Sequence, residues 1–413
     1  MTRLKGFQKL TRVDEALRTW LDFLQVKKCR VVTVTLNKAL DRVLAADLTA
    51  KDDLPRFDKS AVDGYALRAA DTTGATQFKP VTLQLIEAEQ VGANQARQIW
   101  TGNPIPKDAD AVVMLENTKK RDGKLEVWIQ LARGGNISKK GEDVKKGETI
   151  MKAGTRLKPY HLALLAAMGK TEVKVAEKPR IAILATGNEL AEAGTTPTAN
   201  QIYDSNRIML SAMCCELGAE PVDLGLAKDD VAEIAAKITN GLQSCDAIIT
   251  SGGTSVGGLD LVPDAVNNSG KPGVIVHGMA LRPAMPTALA ALDGKAVMIL
   301  SGNPVAAIIG FEVFARPLIC KMLGMKHVEP RPTVSVVMTR KVATALGRKT
   351  FVRVKVTQKN GEFHAEPVSA RGSGAISTMT RGNGFVVVPE NREGVREGEV
   401  VAVRLFDNLE VEH

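Results

Sequence analysis

The sequence predicts a multidomain chain of mixed class, an α/β domain with a doubly wound parallel sheet joined to regions of short β-strands. Three observations carry this. Between Pro179 and Gly324, continuous apolar runs alternate with helical segments, the rhythm of a parallel sheet covered on both faces. On either side, short apolar runs are punctuated by Gly, Pro and Asn, the texture of β-rich domains. The chain has 413 residues, 44% of them hydrophobic and 24% charged, enough for several aliphatic cores and two to four domains.

Taken in order, "RVDEALRTWLDFL" sets Val13, Ala16, Leu17, Trp20, Leu21 and Leu24 on one helical stripe. "TLNKALDRVLAADL" has the same period, with Thr35 as a candidate N-cap, and predicts a second helix. From about residue 54 to 135, runs such as "VTLQLIEA", "AVVMLE" and "LEVWIQLA" predict strands. Residues 145–175 turn helical in "KPYHLALLAAMG". In the α/β part, "RIAILATG", "EPVDLGLA", "DAIITSGG", "KPGVIVHGMA" and "KAVMILSGNP" read as strands. Between and after them, "NRIMLSAMCCELG", "DDVAEIAAKITNGL" (Asp229 or Asp230 as N-cap), "LVPDAVNNSG" and "VAAIIGFEVFARPLICKMLG" read as helices, several closed by glycine. After "EPRPT", five strands follow in "VSVVMTR", "FVRVKVT", "FHAEPV", "GFVVVP" and "EVVAVRLF". The expected divisions are 12–50 with 145–177, 51–144, 178–326 and 330–410.

Composition narrows the function classes. No apolar run reaches the roughly 18–20 residues that span a bilayer, and the N-terminal stretch has no long apolar core of a secretory signal, so no membrane association is expected. The five cysteines are sparse, odd in number and lack metal-type spacing, which fits a reducing cytoplasm. The formal net charge is +9, yet lysines and arginines are dispersed among acids and aromatics make up only 4%, so no nucleic-acid partner is expected. A basic surface also suits an anionic small ligand.

In an open parallel sheet, ligands bind beyond the carboxyl ends of the strands. Three glycine-rich turns fall there: "LATGNEL" (184–190), "TSGGTSVGGLD" (250–260) and "LSGNPVAA" (300–307). Glycines let backbone N–H groups approach a ligand closely, and the helix starts behind them carry partial positive charge, which suits phosphate. None matches a P-loop or dinucleotide fingerprint. Glu189, Asp204, Asp229, Asp230 and Asp260 lie on or near this edge. Each alone reads equally as a cap or a solvated loop residue; two or more converging would make an oxygen-only site for a hard cation such as Mg2+. The β-rich half has dense polar stretches of its own, "PRFDKSAVDGYALRAAD" (55–71), "TGNPIPKDADAVVMLE" (101–116) and "KGEDVKKGE" (140–148).

Together, and in order, "FDKSAVDGYALRAAD", "TGNPIPKDADAVVMLE", "GEDVKKGE", "ATGNEL", "QIYDSNR", "SGGTSVGGLD" and "SGNPVAA" resemble the molybdopterin molybdenumtransferases, the MoeA family, to which the C-terminal domain of gephyrin also belongs. The resemblance covers nearly the whole chain. It implies an elongated, four-domain homodimer with a molybdopterin-binding α/β domain, a small C-terminal β-barrel-like domain and a site shared between subunits. It implies a reaction in which adenylylated molybdopterin and molybdate are the substrates, Mg2+ is the cofactor, and AMP is released. Molybdopterin adenylyltransferase and molybdoenzyme chaperones would be further partners. Two alternatives stand beside it: a scaffold that has lost catalysis, and a molybdopterin adenylyltransferase.

Carried over by this resemblance, Asp58, Asp143 and Asp260 would be catalytic, and Glu189, Asp229 and Asp260 would hold the metal. Thr101, Gly252, Gly253, Thr254, Ser255, Gly257, Arg282, Ser301, Gly302, Asn303 and Pro304 would bind substrate. This chain also departs from the family pattern. Where the family usually reads "KPGKP", it has "LRPAMPTA", so that Arg282 keeps a charge while Ala284 and Met285 replace Gly and Lys; Ser301 stands where the family usually has proline. These changes lie where molybdate or the substrate phosphates would bind, and they open a preference between molybdate and tungstate.

Overall fold

The structure is a computed structural model that describes residues 10–253, 261–326, 328, 331–368 and 372–411. Its contacts divide the chain into two compact units. One comprises the residues up to Val32, Asp41–Val43 and everything from Val175 on; the other comprises Thr33–Leu40 and Leu44–Lys174.

In the larger unit, helix α1 (Val13–Phe23) buries Val13, Ala16 and Trp20, as its periodicity requires. A six-stranded sheet follows, built from β1 (Arg180–Thr186), β2 (Glu220–Ala227), β3 (Ala247–Ser251), β4 (Pro272–His277), β5 (Ala288–Leu292) and β6 (Lys295–Leu300). Their order is β2-β1-β3-β6-β5-β4. Alternate side chains face opposite layers: Ile181 and Ile183 join the core under α1 and α2 (Asn206–Glu216), whereas Ala182 and Leu184 join the core under α3 (Val231–Ser244) and α4 (Leu261–Ser269).

The sheet corrects one expectation. β2, β1, β3 and β6 are parallel, but β5 runs antiparallel between β6 and β4. Asp293 and Gly294 both take positive φ, 51° and 79°, so "LDGK" closes a tight hairpin of the kind whose twist matches its strands. The segment Pro304–Met322 is helical throughout as expected, with a π-helical stretch at Phe311–Ala315.

The five C-terminal strands stand where the sequence predicts them: β7 (Thr333–Met338), β8 (Lys349–Lys359), β9 (Glu362–Pro367), β10 (Gly384–Val388) and β11 (Val400–Leu405). Pairing runs β8-β9-β7-β11-β10 and returns to β8, a closed five-stranded barrel. Closure leaves none of the five with an unpaired edge.

In the smaller unit, a six-stranded sheet runs in the order Ala111–Met114, Gly64–Leu67, Gln95–Ile99, Val81–Ile86, Lys124–Val127, Thr118–Arg121. Leu67, Leu83, Leu125 and Val127 fill its core. Within 145–175, the helix is confined to Pro159–Ala167, between the strands Thr149–Met151 and Glu172–Ala176. The helix expected over "TLNKALDRVLAADL" does not form. Only a 3-10 turn, Leu36–Lys38, is present, and Asp41 has a φ of 59°. Backbone bonds to distant partners replace the helical ladder there: Leu44 N–H donates to Thr155 O (2.9 Å) and Ala45 N–H to Lys174 O (3.1 Å).

Candidate functional site

Two adjoining clefts open at the carboxyl edge of the large sheet. The first, of about 870 Å3, is lined by the ends of β1, β3 and β6, among them Glu189, Asn206, Gly252, Gly253 and Gly302. The second, of about 610 Å3, lies between this edge and the barrel and is lined by Arg282, Met285, Arg348 and Arg353. Pro286, Ser301 and Asn303 belong to both.

The glycines after β3 are required by close approach. Gly252 has a φ of 98°, and a Cβ there would stand 2.4 Å from Thr186 O; at Gly253 (φ 66°), a Cβ would stand 2.4 Å from Val262 Cγ2. Asn206 Nδ2 donates to Ser251 Oγ (2.7 Å) and to Gly302 O (2.8 Å), and Asn303 N–H donates to Ser301 Oγ (3.2 Å). The Thr186 hydroxyl, buried beneath the cleft, has no hydrogen-bond partner among the described residues. Thr254, Ser255, Gly257 and Asp260 lie outside the described residues.

The carboxylates at this edge have distinct uses. Asp230 is the N-cap of α3, accepting the Glu233 N–H at 2.7 Å. Asp229 instead bridges to the first glycine turn: Asn188 N–H donates to its Oδ2 (3.1 Å), and its own N–H donates to Asn188 Oδ1 (3.2 Å). The Glu189 carboxylate lies over Gly187, within 2.6 Å of where a Cβ would be. Asp204 is buried and pairs with Arg207 Nε at 2.5 Å. Among the described residues, no group of three or more His, Cys, Asp or Glu side chains stands close enough to enclose a metal ion.

The second cleft is cationic. Burial lowers the pKa of the Arg353 guanidinium, whose Nε has no hydrogen-bond partner among the described residues. Ala284 takes a φ of 87°, a conformation that favours glycine, so the segment keeps a glycine-like path without the glycine. Arg348, Arg353, Asn206 and Thr186 were not among the residues the sequence singles out; barrel strand β8 brings the Arg348–Arg353 stretch to a sheet edge some fifty residues earlier in the chain.

The smaller unit gathers its own polar residues. Segment 58–60 pairs on one side with Asn103–Ile105 and on the other with Ile137–Ser138. Asp58 accepts from Lys139 Nζ (2.8 Å) and Lys140 N–H (2.8 Å), and these bonds hold its carboxyl below the usual range. Asp63 accepts both the N–H and the hydroxyl of Thr101, with the same effect. Ser138 donates to Glu142, lowering it likewise, and the next residue, Asp143, is exposed. Asp58, Thr101 and Asp143 thus share one region of this unit, while Glu189, Asp229, Gly252, Gly253, Arg282 and Ser301–Pro304 share the sheet edge of the other.

Comparison with known proteins gives three family matches in chain order: "MoeA N-terminal region (domain I and II)" over residues 11–169, "Probable molybdopterin binding domain" over 182–321, and "MoeA C-terminal region (domain IV)" over 335–406. The molybdopterin molybdenumtransferase of Bacillus subtilis is 35% identical, covering 95% of this chain and 94% of its own length. Molybdopterin molybdenumtransferase 2 of Mycobacterium tuberculosis is 35% identical, covering 92% and 96%. The crystal structure of the molybdopterin biosynthesis MoeA protein from Pyrococcus horikoshii superposes with a TM-score of 0.82 at 32% identity, covering 96% of this chain and all of that one. Among the described residues, no helix is long and apolar enough to cross a membrane.

Proposed function

The chain belongs to the MoeA family, and on that premise we propose that it is a molybdopterin molybdenumtransferase of molybdenum cofactor biosynthesis. It takes adenylylated molybdopterin and molybdate, cleaves the phosphoanhydride, releases AMP and leaves the metal on the dithiolene. The observation that carries this reading is the pair of clefts at one sheet edge, one floored by closely packed glycines and the other lined by three arginines.

Each cleft suits one part of the chemistry. Gly252, Gly253 and Gly302 bring bare backbone to the first cleft, where the terminal phosphate of the pterin would lie, with Asn303 and Pro304 also lining it; Thr254, Ser255 and Gly257, next in the sequence, would bind the same group. Arg282, Arg348 and Arg353 make the second cleft attractive to an oxyanion, molybdate or tungstate. The donors at Glu189, Asp229 and Asp260 are all oxygens, as Mg2+ prefers, and because that ion keeps several waters it needs no closed protein cage. Mg2+ would be held there and would neutralise charge at the phosphoanhydride. Asp229, turned to the Asn188 loop, suits that role better than Asp230, whose oxygen is spent on capping.

Asp58, Asp143 and Thr101 complete the site from a second copy in a homodimer. The same premise supports four domains, at 12–50 with 145–177, 51–144, 178–326 and 330–410, and a cytoplasmic location, with molybdopterin adenylyltransferase or molybdoenzyme chaperones as neighbours in the pathway.

The test is AMP release from adenylylated molybdopterin, with Mg2+, in the presence and absence of molybdate. Molybdate-dependent release supports the transferase. Release that ignores molybdate, or none at all, removes it.

A further inference from the structure

We propose that Asn206 is a positioning residue that clamps the end of β3 to the loop after β6 and so sets the shape of the glycine-floored cleft. It is the first residue of α2 and only 6% exposed. Both hydrogens of its amide nitrogen are used, one on Ser251 Oγ at 2.7 Å and one on Gly302 O at 2.8 Å. Gly302 O can only accept, so the nitrogen must face it and the orientation of the amide is determined. With that end committed, the hydrogens run one way through the network. Ser251 Oγ, having accepted from Asn206, turns its own hydrogen toward Ser301 O (3.4 Å), and Ser301 Oγ accepts from Asn303 N–H (3.2 Å).

The two segments that are joined touch. A Cβ on Gly302 would stand 3.5 Å from Gly252 Cα. The clamp is itself held: Asp204 Oδ1 accepts Asn206 N–H at 3.0 Å, and Arg207 Nε binds Asp204 Oδ2, so the backbone on either side of Asn206 is fixed by a buried ion pair. Asn206 Oδ1, by contrast, is buried without a hydrogen-bond partner among the described residues. An unpaired buried acceptor costs stability, and a residue serving packing alone would gain by losing it. What the amide supplies instead is two donors at one fixed spacing, which no aliphatic residue of that size offers.

This assignment rests on the transferase reading for what the cleft binds, but the clamp can be tested without turnover. The amide of Gly252 bonds to Leu300 O (3.1 Å), and that of Asn303 to Ser301 Oγ. In Asn206→Ala, hydrogen exchange at both amides should quicken at least tenfold while that of β1 stays native. Asn206→Asp, of equal size but without donors, should behave alike and serves if the alanine variant folds poorly. In AMP release, Asn206→Ala should raise KM for adenylylated molybdopterin about tenfold, and Ser251→Ala added to it should change KM less than twofold further, because both act through one link. Native exchange at Gly252 and Asn303, a KM within twofold of native, or effects of the two substitutions that multiply would each overturn the clamp. Faster exchange combined with no AMP release by the unaltered protein would leave the clamp standing and remove the transferase reading.

Discussion

One carboxylate oxygen of Asp63 receives both hydrogen bonds that Thr101 can donate, from its N–H and its hydroxyl, each at 2.7 Å. The threonine, itself exposed, is therefore oriented by a partner 38 residues earlier. If Thr101 contacts substrate, Asp63 governs how it does so. Asp63→Ala and Thr101→Val should each lower kcat/KM for AMP release about tenfold or more, the scale of one lost charge-assisted bond. Asp63→Asn, which retains an accepting oxygen, should recover most of the loss. Equal rates in all three variants would place Thr101 outside the site.

Acid should loosen the smaller unit first. Asp58, Asp63 and Glu142 all have pKa values below their ordinary ones, held mainly by Lys139, by the Thr101 N–H and by the Ser138 hydroxyl, respectively. Depressed carboxylates contribute stability that is complete above the unfolded-state values, about 4, and is lost as pH falls through the folded-state values. The measurement is hydrogen exchange at Ser60 and Gly102, whose amides bond to Asn103 O and Ser60 O, between about pH 5 and 2.5. Protection there should fall as these groups protonate, and in Asp58→Asn it should be weaker from the start. A flat profile contradicts the linkage.

Met285 lies in the arginine-lined cleft with Ser301 and Asn303. Met285→Lys adds a charge to the cleft proposed for the oxyanion, worth roughly 1.5–3 kcal/mol if the ammonium reaches the ion, or about tenfold or more in affinity. Product formation should then saturate at lower molybdate or tungstate. A change for one anion alone would make Met285 a specificity element, and superimposable curves for both would make it a packing residue.

The Asp204–Arg207 pair predicts stability. Asp204 is 5% exposed, and Arg207 reaches it as well as Asp223 and Glu192. Asp223 and Glu192 are half exposed and contribute little. Arg207→Ala leaves the buried Asp204 carboxylate without its cation, a loss of about 3–5 kcal/mol, read as a lower urea midpoint with an unchanged slope.

Much of the fold was legible in the sequence because pattern and packing agree. The apolar runs that became β1, β3 and β6 are buried along most of their length, and the five barrel strands overlap their expected segments, four of them rich in β-branched residues, with β9 (EFHAEP) the one that has none. The helix expected around Leu36–Leu48 shows the opposite case. Its periodicity is real, with Ala39, Val43 and Leu44 buried, but backbone partners far along the chain took the amides a helix would have used. β5 was hidden because "TALAAL" has neither β-branched texture nor alternation, and only the Asp293–Gly294 turn marks it. At the site, the glycine loops announced themselves by composition. Asn206 and Arg353 did not, since a single Asn at a helix start or Arg in a strand acquires meaning only when a distant segment is brought against it.

An exchange of adenylate for molybdenum on the pterin fixes a stoichiometry. A single turnover with limiting adenylylated molybdopterin, excess molybdate and Mg2+ should yield one AMP for each molybdenum retained in the pterin product. AMP formed without retained molybdenum would make the protein a hydrolase of the adenylate and not a molybdenumtransferase.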